Sequence, residues 1–228
     1  MPVRSARRSL FCFLVLVLAA GCAASGAVEQ RNSRHLIYLH GRIVQEQQSA
    51  RPRHPRHGFY ELNAIAETLR GRGFVVTAEI RPKTTTVSEG AARVVAQVRR
   101  LLDSGVAPER ITVVGASMGA AIALRVAARL QNQDVRFVLL GPCLSANVQP
   151  VATEERAYPQ GHLLSIREES DVPSATCDAW PEERVPSGLT AREIVLETGT
   201  EHGFLYRPMP EWVEPVVRWA SSGRLQNP

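Results

Sequence analysis

Segments with a strand pattern and segments with a helix pattern alternate along this chain, and that alternation limits its fold more than any other feature. Short apolar runs between turn residues predict strands at His35–Leu39, Phe74–Ile80, Ile111–Val114, Val135–Leu140, His162–Ile166 and Glu193–Glu197. Apolar residues at helical spacing predict helices at Tyr60–Arg70, 91–102, Ala120–Leu130 and Glu211–Ser221. Such alternation needs crossover connections, so we expect an α/β fold with a mostly parallel sheet and helices on both faces.

Two segments lack a periodic pattern. Arg42–His57 is polar and contains two prolines, which predicts a loop, and residues 143–160 are expected to be irregular. The arginines and histidines of Arg51–His57 indicate a solvated loop or, alternatively, a contact for an anionic headgroup or acidic substrate. By contrast, Thr86 and Glu89 have capping-box spacing and mark a helix start.

The composition is that of one globular domain. The chain has 228 residues, of which 44% are hydrophobic and 21% charged, and these values exclude a disordered tail, a collagen-like repeat and a disulfide miniprotein. The formal net charge is +5, but residues 1–21 hold three arginines and no acid, which leaves 24 basic and 22 acidic residues elsewhere. We therefore expect no nucleic-acid partner, and aromatic residues do not interleave the basic segment as single-strand binding would prefer.

Residues 1–21 have the features of an export signal. Arg4, Arg7 and Arg8 precede an apolar run from Leu10 to Ala20, which is shorter than the roughly 20 residues that span a bilayer. The ending of this run, up to Cys22, resembles a bacterial lipobox, which implies lipidation of Cys22 and a membrane anchor.

We expect residues 22–33 to be a tether and 34–228 the folded domain, exported to the cell envelope or periplasm. Plain secretion and a twin-arginine signal stay open as alternatives.

Export affects the interpretation of the cysteines. Cys12 would leave with the signal and Cys22 would be acylated, so only Cys143 and Cys177 remain in an oxidising compartment. A disulfide between them is one interpretation, and a buried thiol with an exposed one is the other.

The most informative motif is Gly115-Ala116-Ser117-Met118-Gly119, between a predicted strand and a predicted helix. A sharp turn in this setting holds the serine in a strained backbone conformation and lifts its hydroxyl above the sheet edge. A side chain at Gly115 or Gly119 would clash with the neighbouring strand or helix. The alternative is a glycine-rich turn in which Ser117 only caps the helix.

With this motif, and with His40-Gly41 upstream, the chain resembles the α/β-hydrolase superfamily of the serine-esterase type from about Arg34 to Ala220. The resemblance implies Ser117 as nucleophile, Asp171 as the acid that follows a strand, and His202 as the base. Glu168 and Glu169 are alternatives to Asp171, because Glu168 stands where that superfamily often has glycine.

The resemblance also implies an oxyanion hole and a shape for the fold. The backbone N–H groups of Met118 and Arg42 are the expected donors, Gly41 permits the tight turn, and His40 is expected to shape the loop. Compared with that superfamily, we expect a reduced sheet of about six strands and no cap domain. The site would be open, or covered by Arg42–Phe59 and Asn147–Gln160. Nothing in the motifs suggests a cofactor or a metal ion.

These features predict an exported carboxylesterase with a Ser-His-Asp triad and a small-molecule ester as substrate. Two alternatives stay open: a non-catalytic envelope lipoprotein that uses the fold as a binding scaffold, and a hydrolase of thioester, peptide or lipid ester bonds. The sequence indicates no oligomeric state.

Overall fold

Six parallel strands form the central sheet of the computed structural model, which describes residues 31–142, 144–171 and 187–224. The strands of this sheet are β1 Arg34–Leu39, β4 Phe74–Thr77, β5 Ile111–Ala116, β6 Arg136–Leu140, β7 Gly161–Glu168 and β8 Leu189–Leu196. Their order across the sheet is β4-β1-β5-β6-β7-β8. Two short strands, β2 Arg53–His54 and β3 Gly58–Phe59, pair separately as an antiparallel hairpin.

Helices cover both faces of the sheet. They are α1 Arg42–Gln47, α2 Leu62–Gly71, α3 Val87–Asp103, α4 Met118–Leu130, α5 Leu144–Glu155 and α6 Pro210–Ser222, with 3₁₀ helices at Pro108–Arg110 and Glu201–Tyr206. Leu36 and Tyr38 of β1 belong to the core beneath α2 and α6, whereas Ile37 and Leu39 belong to the core beneath α3, α4 and α5. Successive strand residues point to opposite faces, so each strand contributes to both cores.

The predicted fold class is confirmed. The sheet is parallel, has six strands in the described ranges, and is covered on both faces; no cap domain is present among these residues. The capping box is also confirmed, because Thr86 Oγ1 accepts from the Glu89 N–H at 3.2 Å and the Glu89 carboxylate accepts from the Thr86 N–H at 2.8 Å. Within the described ranges, no helix has both the length and the apolar character needed to cross a bilayer.

Two predicted irregular segments are in fact partly regular. Arg42–His57 is not simply a loop, because it contains α1 and the first strand of the hairpin. Helix α1 has six residues and buries only Val44 and Gln45, too few to give a periodic pattern. Residues 143–160 are largely the helix α5, in which Pro150 interrupts the helical pattern although Val148 and Val151 are buried on one face.

Two strand boundaries differ from the prediction by more than two residues. Strand β4 ends at Thr77 rather than Ile80, because Thr77 is the last residue paired with β1. Strand β8 begins at Leu189 rather than Glu193 and pairs with β7 from Gly161 onward.

The carboxyl ends of the strands lie along one edge of the sheet. Parallel pairing aligns Leu39 with Gly115 and Ala116 with Leu140, and it aligns Glu168 with Leu196. The segments that follow β1, β5, β7 and β8 carry Gly41, Ser117, Asp171 and His202, respectively. Binding sites of open α/β sheets lie at this edge, so the topology alone brings the candidate residues together.

Candidate active site

Ser117 makes the turn between β5 and α4 by itself. Its backbone has φ 53° and ψ −116°, a conformation that is strained for any residue with a side chain and costs about 1–3 kcal/mol. Neighbouring segments hold the turn: the Ser117 N–H donates to the Leu140 carbonyl at 2.8 Å, and the Ser117 carbonyl accepts from the Ala120 N–H at 2.9 Å. Ser117 is therefore fixed above the end of the sheet, and it remains partly exposed.

Gly115 and Gly119 let this turn pack tightly. A Cβ on Gly115 would lie 2.6 Å from the Ala120 backbone nitrogen, and a Cβ on Gly119 would lie 2.6 Å from the Leu39 carbonyl carbon. Both distances are far below van der Waals contact. The predicted clash at both positions is confirmed, with the backbone of α4 and of β1 as the obstructing groups.

His202 and Asp171 form a hydrogen-bonded pair. The distance between His202 Nδ1 and Asp171 Oδ2 is 2.6 Å, with the carboxylate almost completely buried and the imidazole about one third exposed. A carboxylate accepts hydrogen bonds, so Nδ1 carries the proton and Nε2 is left as the acceptor nitrogen of the neutral ring. This arrangement orients His202 in the tautomer that a general base requires.

Ser117 and His202 flank the same glycine. A Cβ on Gly141, which follows β6, would lie 3.7 Å from His202 Cε1 and 3.9 Å from the Ser117 backbone nitrogen. Ser117 and His202 also line two shared cavities, of about 370 and 510 Å³, the second of which is lined by Asp171 as well. The three residues expected to form a triad are thus brought to one site.

The sequence left Glu168 open as an alternative to Asp171, but Glu168 does not form the hydrogen bond to His202. Its carboxylate accepts from the Thr198 hydroxyl at 2.7 Å, from the Thr198 and Gly199 N–H groups at 3.1 Å each, and from the Ser170 hydroxyl at 3.0 Å. Burial by itself would raise the pKa of Glu168, but these hydrogen bonds outweigh it and the pKa is lowered. Glu169, the other alternative, is exposed.

The bonds of Glu168 connect two loops. Ser170 lies next to Asp171, and its hydroxyl oxygen also accepts from the Glu201 N–H at 3.1 Å, next to His202. Glu201 has a positive φ of 50°, an unusual conformation for a residue with a side chain. Glu168 is therefore a positioning residue that fixes the loop of Asp171 against the loop of His202.

Replacing Glu168 with glutamine is expected to lower the free energy of unfolding by about 2–3 kcal/mol, because an amide nitrogen cannot accept the hydrogen bonds of one carboxylate oxygen. The matched control is Glu169→Gln at the adjacent exposed position, which should change this free energy by less than about 0.5 kcal/mol. Urea denaturation of both variants measures the difference. Equal midpoints for the two would show that Glu168 does not hold the loops together.

His40 lies beneath the segment that approaches Ser117. It is fully buried; its Nε2 accepts from the Arg81 N–H at 3.0 Å, so the proton is on Nδ1, which donates to the Gly41 carbonyl at 2.8 Å. Arg81 also donates from Nη2 to the His40 carbonyl at 2.6 Å and from Nε to Gln45 Oε1 at 2.9 Å. These contacts agree with the predicted loop-shaping role.

The same burial gives a pH dependence to stability. Burial, with a contribution from the Arg81 charge, lowers the pKa of His40 to about 4, whereas an unfolded histidine has a pKa of about 6.5. The contribution of neutral His40 is complete above about pH 6.5, and we expect about 3 kcal/mol of unfolding free energy to be lost between there and pH 4. His57 and His162, whose pKa values are also lowered, act in the same direction.

Denaturation of the wild type and of His40→Gln at several pH values across this range measures the effect. The free energy of unfolding should depend less on pH in the variant. NMR titration of the folded wild type provides a second measurement, with the His40 ring signal expected to change near pH 4. A midpoint near the value of an unfolded histidine would contradict the expectation.

Gly41 lies beside Ser117. A Cβ on Gly41 would lie 3.7 Å from Ser117 Cβ and 3.8 Å from Tyr60 Cε2. Arg42 is the first residue of α1 and Met118 is the first residue of α4, so neither backbone N–H has a hydrogen-bond partner within its own helix. The residues predicted to form an oxyanion hole are therefore gathered around Ser117.

The β2–β3 hairpin also reaches the site, which the sequence indicated only as one possible cover. His57 stacks on His54 with ring centres 4.7 Å apart, and its ring centre lies 6.4 Å from that of His202. Arg56 forms an ion pair with Glu201. Burial lowers the pKa of His57, and the neighbouring His54 and His202 add to the effect.

The hairpin thus forms one wall of both cavities, whereas the described residues of 147–160 do not line them. Nothing in the local pattern of Arg51–His57 could have shown this contact, because it depends on the distant loop of His202. Over the described residues, no group of three or more histidine, cysteine, aspartate or glutamate side chains is arranged to hold a metal ion. Cys22, Cys143 and Cys177 lie outside the described residues, so their predicted roles stay predictions.

Comparison with known proteins gives the following relationships. The model of the alpha/beta hydrolase family matches residues 36–227. The sequence of the chain matches no curated protein. Among solved structures, the esterase of Pyrococcus furiosus is 18% identical, with a TM-score of 0.47 over 83% of this chain and 83% of that one. A thermophilic esterase from Thermogutta terrifontis with butyrate bound is 13% identical, with a TM-score of 0.45 over 84% of this chain and 82% of that one. Because the family match extends over most of its length, the chain belongs to the alpha/beta hydrolase family.

Proposed function

We propose that the chain is a serine hydrolase that cleaves carboxylic esters through an acyl-enzyme intermediate. The observation that carries this proposal is the strained Ser117 turn at the same cavity as the hydrogen-bonded pair of His202 and Asp171. A backbone strain of this kind persists only where the surrounding structure enforces it, and here it exposes a hydroxyl beside an oriented imidazole.

The charge flow assigns a role to each residue. Ser117 Oγ attacks the carbonyl carbon of the ester while His202 Nε2 accepts the hydroxyl proton, because serine is a poor nucleophile at its own pKa. Asp171 stabilises the resulting imidazolium through the Nδ1 hydrogen bond. His202 then donates its proton to the alcohol oxygen as the carbon–oxygen bond breaks.

The same groups hydrolyse the acyl-enzyme. Water attacks the acyl carbon as His202 accepts a proton from it, and the proton returns to Ser117 Oγ when the acid leaves. Both steps place negative charge on the carbonyl oxygen. The backbone N–H groups of Met118 and Arg42 are the donors that we propose for that oxygen, and such a donor stabilises the transition state by about 3–4 kcal/mol.

Esters of small or medium size are the substrate class that we propose. The cavities beside Ser117, of about 370 and 510 Å³, are within the range of small-molecule sites. The described part of the chain adds no cap over them, and the hairpin covers only one side.

The location that we propose is the cell envelope. Residues 1–21 would be the export signal, Cys22 the lipidated residue, and 34–228 the hydrolase domain. Replacing Cys22 with serine should move the protein from the membrane fraction to the soluble fraction of the envelope. The same distribution for the variant and the wild type would exclude the lipid anchor.

A fluorophosphonate probe tests the proposed chemistry. It should label the wild type, and it should not label Ser117→Ala. A series of p-nitrophenyl esters of increasing acyl length then identifies the preferred substrates. Equal labelling of both proteins would exclude Ser117 as the nucleophile, and no labelling or hydrolysis at all would favour a non-catalytic binding scaffold.

A further inference from the structure

The cavity of about 370 Å³ beside Ser117 is lined by both apolar and charged side chains. Apolar or aromatic side chains, namely Ile43, Pro55, Tyr60, Leu205 and Tyr206, line it together with Ser117 and His202. Arg42 from the start of α1 and Arg53 from β2 line the same cavity, and both are exposed. A ligand in contact with Ser117 can therefore meet both apolar surface and a guanidinium group in one cavity.

These two arginines differ from their neighbours in having no carboxylate partner. Arg51 forms an ion pair with Glu61 at 3.0 Å and Arg56 pairs with Glu201, whereas no carboxylate of the described residues lies within 4 Å of the guanidinium of Arg42 or Arg53. A third charged residue that lines this cavity is Glu46, one helical turn after Arg42 on α1. The positive charge at the cavity consequently exceeds the negative charge.

In the adjoining cavity of about 510 Å³, Asp171 and Glu201 outnumber Arg56, but both of these carboxylates already have a partner. The Asp171 carboxylate is committed to His202, and the Glu201 carboxylate is committed to Arg56. In the third cavity nearby, Arg207 adds a positive charge beside the paired Arg56, and no acidic residue is among the lining residues. An excess of one sign of unpaired charge at a cleft raises the local concentration of ligands of the opposite sign.

We propose that the preferred substrate is an ester with an anionic group, such as a carboxylate, at the end of a short apolar chain. Arg42 and Arg53 bind that group while the apolar chain lies against the apolar residues of the cavity and the ester carbonyl lies at Ser117. A guanidinium matches the planar geometry of a carboxylate and can bind it with two hydrogen bonds. The proposal rests on the proposed esterase function and adds the substrate class to it.

Three p-nitrophenyl esters of similar acyl length test the proposal: the pentanoate, the half-ester of glutarate, and an analogue ending in trimethylammonium. For the full-length protein, kcat/KM should be about tenfold higher for the glutarate half-ester than for the pentanoate, and lowest for the cationic analogue. Butyryl esters of p-nitrophenol and of a carboxylated nitrophenol test the same group on the alcohol side. Equal kcat/KM values within both series would overturn the proposal.

Charge-neutralising variants test the residues. Arg42→Gln and Arg53→Gln should each lower the ratio of kcat/KM between anionic and neutral esters about threefold, the effect of an exposed ion pair. Arg99→Gln, an exposed arginine of α3 remote from the carboxyl edge of the sheet, is the matched control and should leave the ratio unchanged. Raising the salt concentration should lower the ratio in the wild type more than in the double variant. Equal ratios for the control and the two variants would overturn the assignment to Arg42 and Arg53.

The fluorophosphonate result distinguishes a failure of the proposed substrate class from a failure of the proposed esterase function. Labelling of Ser117 with no preference for the anionic esters would overturn the substrate class and leave the esterase intact. Absence of both labelling and hydrolysis would overturn the proposed function, and with it the substrate class.

Discussion

Replacing Ser117 with alanine is expected to lower kcat for p-nitrophenyl butyrate by at least about 10⁴-fold, and His202→Ala should have a similar effect. The serine variant lacks the proposed nucleophile, and the histidine variant lacks the group that we propose accepts its proton. Because the two residues act in one step of the proposed mechanism, the double variant should be little worse than the more damaging single variant. Steady-state kinetics of all four proteins, with the ester in excess, measure this pattern.

Folding and background activity need separate controls in this experiment. Alanine keeps the Cβ of Ser117, so the strained turn is retained and the far-UV circular dichroism should not change. Ser222→Ala, an exposed serine at the end of α6, should keep the kcat of the wild type. If the two single losses instead multiplied in the double variant, Ser117 and His202 would act independently, and the proposed proton transfer would be wrong.

The sequence predicts the site as well as it does because a parallel sheet places the carboxyl ends of its strands at one edge. Ser117 follows β5 and His202 follows β8, so identifying the two strands was enough to bring both residues to that edge. The distance between His202 Nδ1 and Asp171 Oδ2 needed coordinates, since three acids follow the same strand within four residues.

The role of Glu168 could have been inferred only with the correct strand boundary. The predicted strand ended at Ile166, but β7 continues to Glu168, and alternation gives Glu168 the burial of Ile166. The hairpin beyond α1 carried no comparable signal. Its strands have two residues each, and its contacts with the loop of His202 join segments almost 150 positions apart in the chain, as the pair of Arg56 and Glu201 shows.

Replacing Gly119 with alanine is expected to destabilise the fold by more than about 4 kcal/mol, which is a large share of the 5–15 kcal/mol typical of a folded domain. The new Cβ would overlap the Leu39 carbonyl group and would lie 3.0 Å from the His40 carbonyl oxygen. These are backbone atoms within and just after β1, held by pairing with β4 and β5, so they cannot move aside as a flexible side chain could. We expect little soluble protein, or a urea midpoint far below that of the wild type.

Gly71 provides the matched control for this substitution. It lies in the last turn of α2, where a Cβ would have no neighbouring atom within 4 Å, and its φ is not in the left-handed region, so alanine fits there. Because alanine has the higher helix propensity, Gly71→Ala should raise the free energy of unfolding by about 0.5–1 kcal/mol. The same chemical change thus has opposite signs at the two glycines, and urea denaturation of both variants measures the difference. A Gly119→Ala protein with the wild-type midpoint would mean that β1 and α4 lie farther apart than these distances indicate, and Ser117 would then lose the close packing that exposes its hydroxyl.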